Sequence, residues 1–217
     1  MAAPDVVIAV VGATATGKSA LADALAGLLG GEVISADSMQ VYRGMDLGTA
    51  KLAPDCRSVP HHCIDLVEPD EPYSAARYQH DARAAIDRLH AGGRVPVVCG
   101  GTGLYVRAAL DDFSFDESAS VSASAASSAS SEAPRPDAAE LRERLNTQAA
   151  ALGPEAFHAL LAAHDADSAA LIHPNNVRRA VRAFELLAQG RRYADVKAGF
   201  SRYCSFYPTS YLGINVE

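Results

Sequence analysis

The sequence predicts an α/β domain built on a parallel sheet, followed by a small all-helical unit. Three observations predict it. Short, β-branched apolar runs alternate with helical periodicity in the N-terminal half, and glycine pairs mark where these segments end. A tract made almost wholly of Ser and Ala then separates this half from a stretch with helical periodicity alone.

Taken in order, Val6–Val11 is a strand buried on both faces, because its apolar run does not alternate with polar residues. The glycine loop Gly12–Ser19 follows, then a helix over Ala20–Leu29 with Leu21, Leu25, Leu28 and Leu29 at helical spacing, stopped by Gly30-Gly31. Glu32–Ala36 is a second short strand and closes at Asp37. Tyr73–Leu89 is a helix with Ser74 as its N-cap, ended by Gly92-Gly93. Val95–Cys99 is a third buried strand, running into Gly100-Gly101. Residues 1–115 therefore form the α/β core, with ligands expected at the carboxyl ends of the strands. Residues 116–136 offer no apolar stripe and read as a linker. Helices follow over Asp137–Ala150, Pro154–His164 and Asn176–Gln189, so residues 137–195 are a helical insertion. Residues 196–217 return to the core, where Tyr207–Val216 is strand-like and the chain reads as cut short.

Composition narrows the class. The chain has 217 residues, 49% of them hydrophobic. Alanine inflates that fraction, but the larger apolar residues stay above the level of disordered chains. No apolar run is long enough to cross a membrane, and the N-terminus lacks the basic start of a signal peptide, so a cytoplasmic protein is expected. The four cysteines form no C-x-x-C pair and are expected to be reduced thiols. A net charge of −7 argues against a generic polyanion binder, yet Lys and Arg outnumber acids between His173 and Tyr203.

The chemistry centres on Gly12-Ala13-Thr14-Ala15-Thr16-Gly17-Lys18-Ser19, which matches G-x-x-x-x-G-K-[ST]. Gly12 and Gly17 let the backbone turn so that N–H groups converge on phosphate oxygens, and the following helix adds its positive dipole end. Lys18 supplies a mobile charge and Ser19 a hydroxyl ligand for Mg²⁺. The architecture is thus a P-loop NTPase-like parallel sheet flanked by helices, binding a di- or triphosphate. The strand Val95–Cys99 ends in Gly100-Gly101-Thr102-Gly103 where a hydrolase would carry an acid. Asp37 is the first carboxylate at a strand end, suited to accept a proton or hold a metal. Cys56, His61, His62 and Cys63 lie close together, but their spacing fits no usual zinc pattern, so a structural or substrate-lining role is expected. Tyr105 suits either base stacking or core packing.

Together with the loop, Asp37-Ser38-Met39-Gln40-Val41-Tyr42-Arg43-Gly44-Met45-Asp46, Gly48-Thr49-Ala50-Lys51, Pro60-His61-His62, Tyr73-Ser74-Ala75-Ala76, Gly100-Gly101-Thr102-Gly103-Leu104-Tyr105 and Ile172-His173-Pro174-Asn175-Asn176 resemble the tRNA dimethylallyltransferases. The resemblance implies transfer of a dimethylallyl group from its diphosphate to N6 of the adenosine 3′ of the anticodon, in tRNAs reading codons that begin with U. It implies that Gly12–Ser19 hold dimethylallyl diphosphate, with Thr14 and Thr16 among the contacts, and that Asp37 takes the amino proton. By the same resemblance Lys18 and Thr102 belong with the catalytic groups, Thr102 near the diphosphate, and Mg²⁺ is the cofactor. Asp37, Ser38, Met39, Gln40, Arg178, Arg179 and Arg182 would face the tRNA anticodon loop, with Gln40 reading the adenine edge. A monomer is expected, with no membrane partner. Arg178 stands where the family usually has Gln, and the family continues well past the point matching Glu217. An adenylate prenyltransferase, a small-molecule kinase and an inactive fragment of the tRNA enzyme are the alternatives using the same loop.

Overall fold

The computed structural model describes residues 5–112, 138–200 and 204–215. The expected linker at 116–136 lies outside them. The chain divides into two compact units, Met1–Ser122 with Tyr203–Glu217, and Ala123–Arg202.

The first unit is a five-stranded sheet in the order β3-β2-β4-β1-β5, parallel throughout. Its strands are β1 (Val7–Gly12), β2 (Glu32–Ser35), β3 (His61–His62), β4 (Pro96–Gly100) and β5 (Thr209–Ile214). Helix α1 (Lys18–Leu29) covers one face, where Ala22 and Ala26 pack on Val10, Val33, Val97 and Cys99. Helices α2 (Ala75–Ala91) and α3 (Gly103–Leu110) cover the other, where Tyr78, Ile86 and Leu110 pack on Val7, Ala9, Ile34 and Val98. Successive strand residues thus feed opposite cores, which is why these runs are apolar without alternation. From β1 the chain crosses to β2 on one side, whereas β5 lies on the other side of β1. The carboxyl ends of β1 and β4 meet at this reversal, where open α/β sheets bind ligands.

Helix ends follow the expected chemistry. The Ser74 side chain accepts from Arg77 N at the start of α2, and Asn176 does the same for Arg179 N. The α3 helix and the two-residue β3 were not expected from the sequence. The first opens on a glycine turn that reads as loop, and the second is too short to leave a periodic signal.

The second unit is helical: α4 (Ala138–Leu152), α5 (Pro154–His164), α6 (Ala166–Ala170), α7 (Val177–Ala188) and α8 (Tyr193–Phe200). Leu145, Phe157, Leu161, Ile172 and Val181 form its core. Among the described residues no helix is long and apolar enough to cross a membrane, and all four cysteines are free.

Candidate active site

The loop between β1 and α1 is shaped for an anion. Gly17 sits at the N-cap of α1 with φ of 80° and offers no side-chain cap, so the first-turn N–H groups of α1 stay available to a ligand. Thr16 Oγ1 donates to the Ala13 carbonyl at 2.9 Å and Lys18 Nζ donates to the same oxygen at 2.7 Å. The lysine stem is buried, and its ammonium is drawn across the loop. Thr14, Lys18 and Ser19 line a cleft together with Asp37, His61 and Cys99.

Two backbone contacts bring Asp37 to that cleft. Ala36 N donates to Cys99 O at 2.7 Å, and Gly100 lies so close that a Cβ there would stand 2.1 Å from the Ala36 carbonyl oxygen. Only glycine allows this approach of β4 to the end of β2. Asp37 Oδ1 accepts from Met39 N at 2.9 Å, which folds the following turn. Thr102 Oγ1 accepts from Ser38 N at 3.2 Å, so the turn after β4 steadies the turn after β2. Thr102 thereby touches the segment carrying Asp37.

Gln40, expected to read a base, lines the same cleft but finds its partners within the protein. Its side chain is buried, Oε1 accepts from Ser35 Oγ at 2.8 Å, and Nε2 donates to Thr49 O at 2.9 Å. A buried amide must find such partners, and these hold the 45–50 loop against the cleft. Met39, beside it, is 44% exposed. Tyr105 is buried and stacks on Tyr78 at 4.1 Å between ring centroids, so it packs the core.

Sequence reasoning missed Asp23, which holds the cleft-lining His61. Its carboxylate accepts from Ser58 N and Oγ and from Val59 N, and pairs with His61 Nε2 at 2.9 Å. Burial pushes the Asp23 pKa up, but the hydrogen bonds from Ser58 and His61 prevail and hold it below the usual range. Burial lowers the pKa of His61 against the pull of Asp23. The available signal was spacing, since Asp23 lies one helical turn beyond Ser19. Cys99 was also missed; its thiol, pushed up to about 11 by burial, donates to Lys18 O at 3.5 Å. His62 is bonded to Glu32 Oε2 at 2.6 Å, so the two histidines are committed to separate carboxylates. Among the described residues no group of three His, Cys, Asp or Glu side chains is arranged to hold a metal ion. The Ser19 hydroxyl and Asp37 carboxylate on one cleft are hard oxygen donors of the kind that suit Mg²⁺ shared with a phosphate ligand.

In the second unit, Arg178 and Arg179 are exposed on the first turn of α7. Arg182 is instead drawn to Glu185 at 3.1 Å, and Arg142 forks onto the same carboxylate at 2.5 and 3.1 Å. Burial pushes the Glu185 pKa up, but its two arginines bring it below the ordinary value.

An anion loop, an acid at its mouth and an arginine-bearing helical unit are matched by known proteins. The model of the IPP transferase family fits residues 40–217, and that of isopentenyl transferases fits residues 5–55. The tRNA dimethylallyltransferase of Geobacillus thermodenitrificans is 44% identical over 213 residues, spanning 97% of this chain and 62% of that protein. That of Acidothermus cellulolyticus is 47% identical over 212 residues, spanning 97% and 60%. The chain thus spans about three fifths of the length of these relatives. A eukaryotic dimethylallyltransferase acting on tRNA superposes with a TM-score of 0.76 at 27% identity, covering 98% of this chain and 48% of that one. The tRNA isopentenylpyrophosphate transferase of Staphylococcus epidermidis gives 0.53 at 32% identity, covering 96% and 62%. With residues 40–217, most of its length, inside one family model, the chain belongs to the IPP transferase family.

Proposed function

We propose that this chain carries the catalytic core of a tRNA dimethylallyltransferase, moving a dimethylallyl group from its diphosphate to N6 of the adenosine 3′ of the anticodon. The observation that carries the reading is the placement of Asp37 on the same cleft as Thr14, Lys18 and Ser19. The names of the relatives described above, tRNA dimethylallyltransferases, support this substrate class.

The loop N–H groups, Thr14 and Lys18 bind the diphosphate and stabilise the negative charge that gathers on it as the allylic C–O bond breaks. To reach it, Lys18 Nζ exchanges its bond to Ala13 O for a phosphate oxygen. Ser19 would hold Mg²⁺, which when bound would supply further charge neutralisation to the leaving group. The adenine amine, a poor nucleophile, forms the new C–N bond and loses its proton to Asp37. The Asp37 oxygen not bonded to Met39 N is the one available for that proton. Help of this kind is worth roughly 10²–10⁴-fold. Thr102 acts by positioning, through its bond to Ser38 N. Arg178 and Arg179 are the phosphate contacts, Arg182 is an internal brace, and Met39 takes the tRNA-facing role from Gln40.

The test is incubation of the 217-residue chain with labelled dimethylallyl diphosphate, Mg²⁺, and either an anticodon stem-loop or AMP. Label on the stem-loop adenosine is expected. Label on AMP alone would replace tRNA with adenylate, and phosphate transfer from ATP would make the protein a kinase.

A further inference from the structure

Within the proposed tRNA reaction, we infer that Leu47 is the positioning residue that occupies the space left when the target adenine unstacks. The loop that bears it is braced from several sides. Thr49 Oγ1 donates to Met45 O at 2.7 Å, and Gln40 Nε2 donates to Thr49 O. The Lys51 ammonium, almost wholly buried, bonds Tyr42 O at 2.9 Å and pairs with Asp46 and Asp65 at 2.8 and 2.7 Å. Gly44, Gly48 and Ala50 all have positive φ, which sets a tight and specific path. Within this braced loop Leu47 is 98% exposed, so none of the bracing serves to bury it.

Its position gives that exposure a use. Thr49, Ala50 and Leu52 of the same loop line the cleft shared by Asp37 and the phosphate loop, and Leu47 stands two residues before Thr49. An exposed apolar side chain thus immediately precedes the stretch of the loop that lines the cleft. A base reaching Asp37 has to leave its neighbours in the RNA stack, which costs a few kcal/mol unless something replaces the lost contact. Apolar wedges are the usual replacement, because they cover the exposed faces of the neighbouring bases without competing for their hydrogen bonds. A polar tip would be solvated at the moment it is needed. A flexible tip would lose entropy on insertion, which the bracing of this loop avoids.

The experiment uses the full 217-residue chain and an anticodon stem-loop RNA carrying 2-aminopurine at the target position. That base lacks the 6-amino group, so it reports unstacking without undergoing transfer. The unmodified protein should raise its fluorescence on binding. Leu47→Ala should remove most of that rise and lower kcat/KM for the adenosine stem-loop about tenfold, whereas Leu47→Met should restore both. The melting temperature of Leu47→Ala should match the parent, since the side chain packs on nothing. A rise in fluorescence and a kcat/KM within twofold of the parent in Leu47→Ala would overturn the assignment. If the parent itself neither raises the fluorescence nor prenylates the adenosine stem-loop, the tRNA reading fails, and the Leu47 role fails with it.

Discussion

Among single residues, the proposed reaction assigns chemistry to Asp37 and binding to the exposed arginines of α7. Asp37 folds its own turn through Oδ1, so Asp37→Asn keeps an acceptor for Met39 N while removing the proposed base. The expected result is a fall in kcat of about 10²–10⁴-fold with the stem-loop Kd within twofold, measured by single-turnover transfer and by titration. A comparable loss of binding would show that Asp37 holds RNA instead. Arg179 is exposed and Arg182 is tied to Glu185. Arg179→Ala should therefore reduce the slope of log K against log salt by about one, whereas Arg182→Ala should leave that slope nearly unchanged. The phosphate loop and Asp37 were legible in the sequence because their chemistry is written into adjacent residues and a strand end. Gln40, Asp23 and Arg182 were not, because their partners Thr49, His61 and Glu185 are chosen by folding.

At the scale of elements, Asp165 sits at the join between α5, α6 and α8. Asp165 lies at the end of α5 and caps α6, accepting from Ser168 N at 3.1 Å, while Arg192 Nη2 reaches it at 2.7 Å from just before α8. Chiefly through Arg192, its pKa is lowered to about 2. Because the folded value lies below the unfolded one of about 3.9, Asp165 stabilises the unit above that range, and the contribution is lost as pH falls through about 2. Urea melts followed at α-helical wavelengths should show midpoints that drop between pH 4 and 2. The part of that drop due to Asp165 should vanish in Asp165→Asn, and an identical pH profile in the variant would contradict this role. Helices and strands were legible wherever a long period or an unbroken apolar run marked them, with ends displaced by one or two residues. The α6 and α8 helices left little trace, since five and eight residues give a periodic pattern too short to read. They are fixed by Asp165 and Arg192, which belong to the tertiary structure.

For the molecule as a whole, the division into two units bears on how ligands act on stability. The phosphate loop, Asp37 and the cleft all belong to the first unit, whose sheet includes β5 from far along the sequence. The second unit has its own core around Phe157 and Leu161, and Glu185 with its two arginines adds to it. A ligand that binds only the folded first unit raises the stability of that unit by RT ln(1 + [L]/Kd), and leaves a separately melting unit where it was. Inorganic pyrophosphate with Mg²⁺ engages the anion loop without offering any RNA. Differential scanning calorimetry should then show one transition moving upward with pyrophosphate concentration and another staying fixed. Lys18→Ala should abolish the movement by removing the loop's mobile charge, while Arg179→Ala should leave it intact. Both transitions rising together would mean that the two units melt as one. Neither rising at saturating pyrophosphate would mean that the loop does not hold a diphosphate, and the transfer chemistry assigned to it would fall.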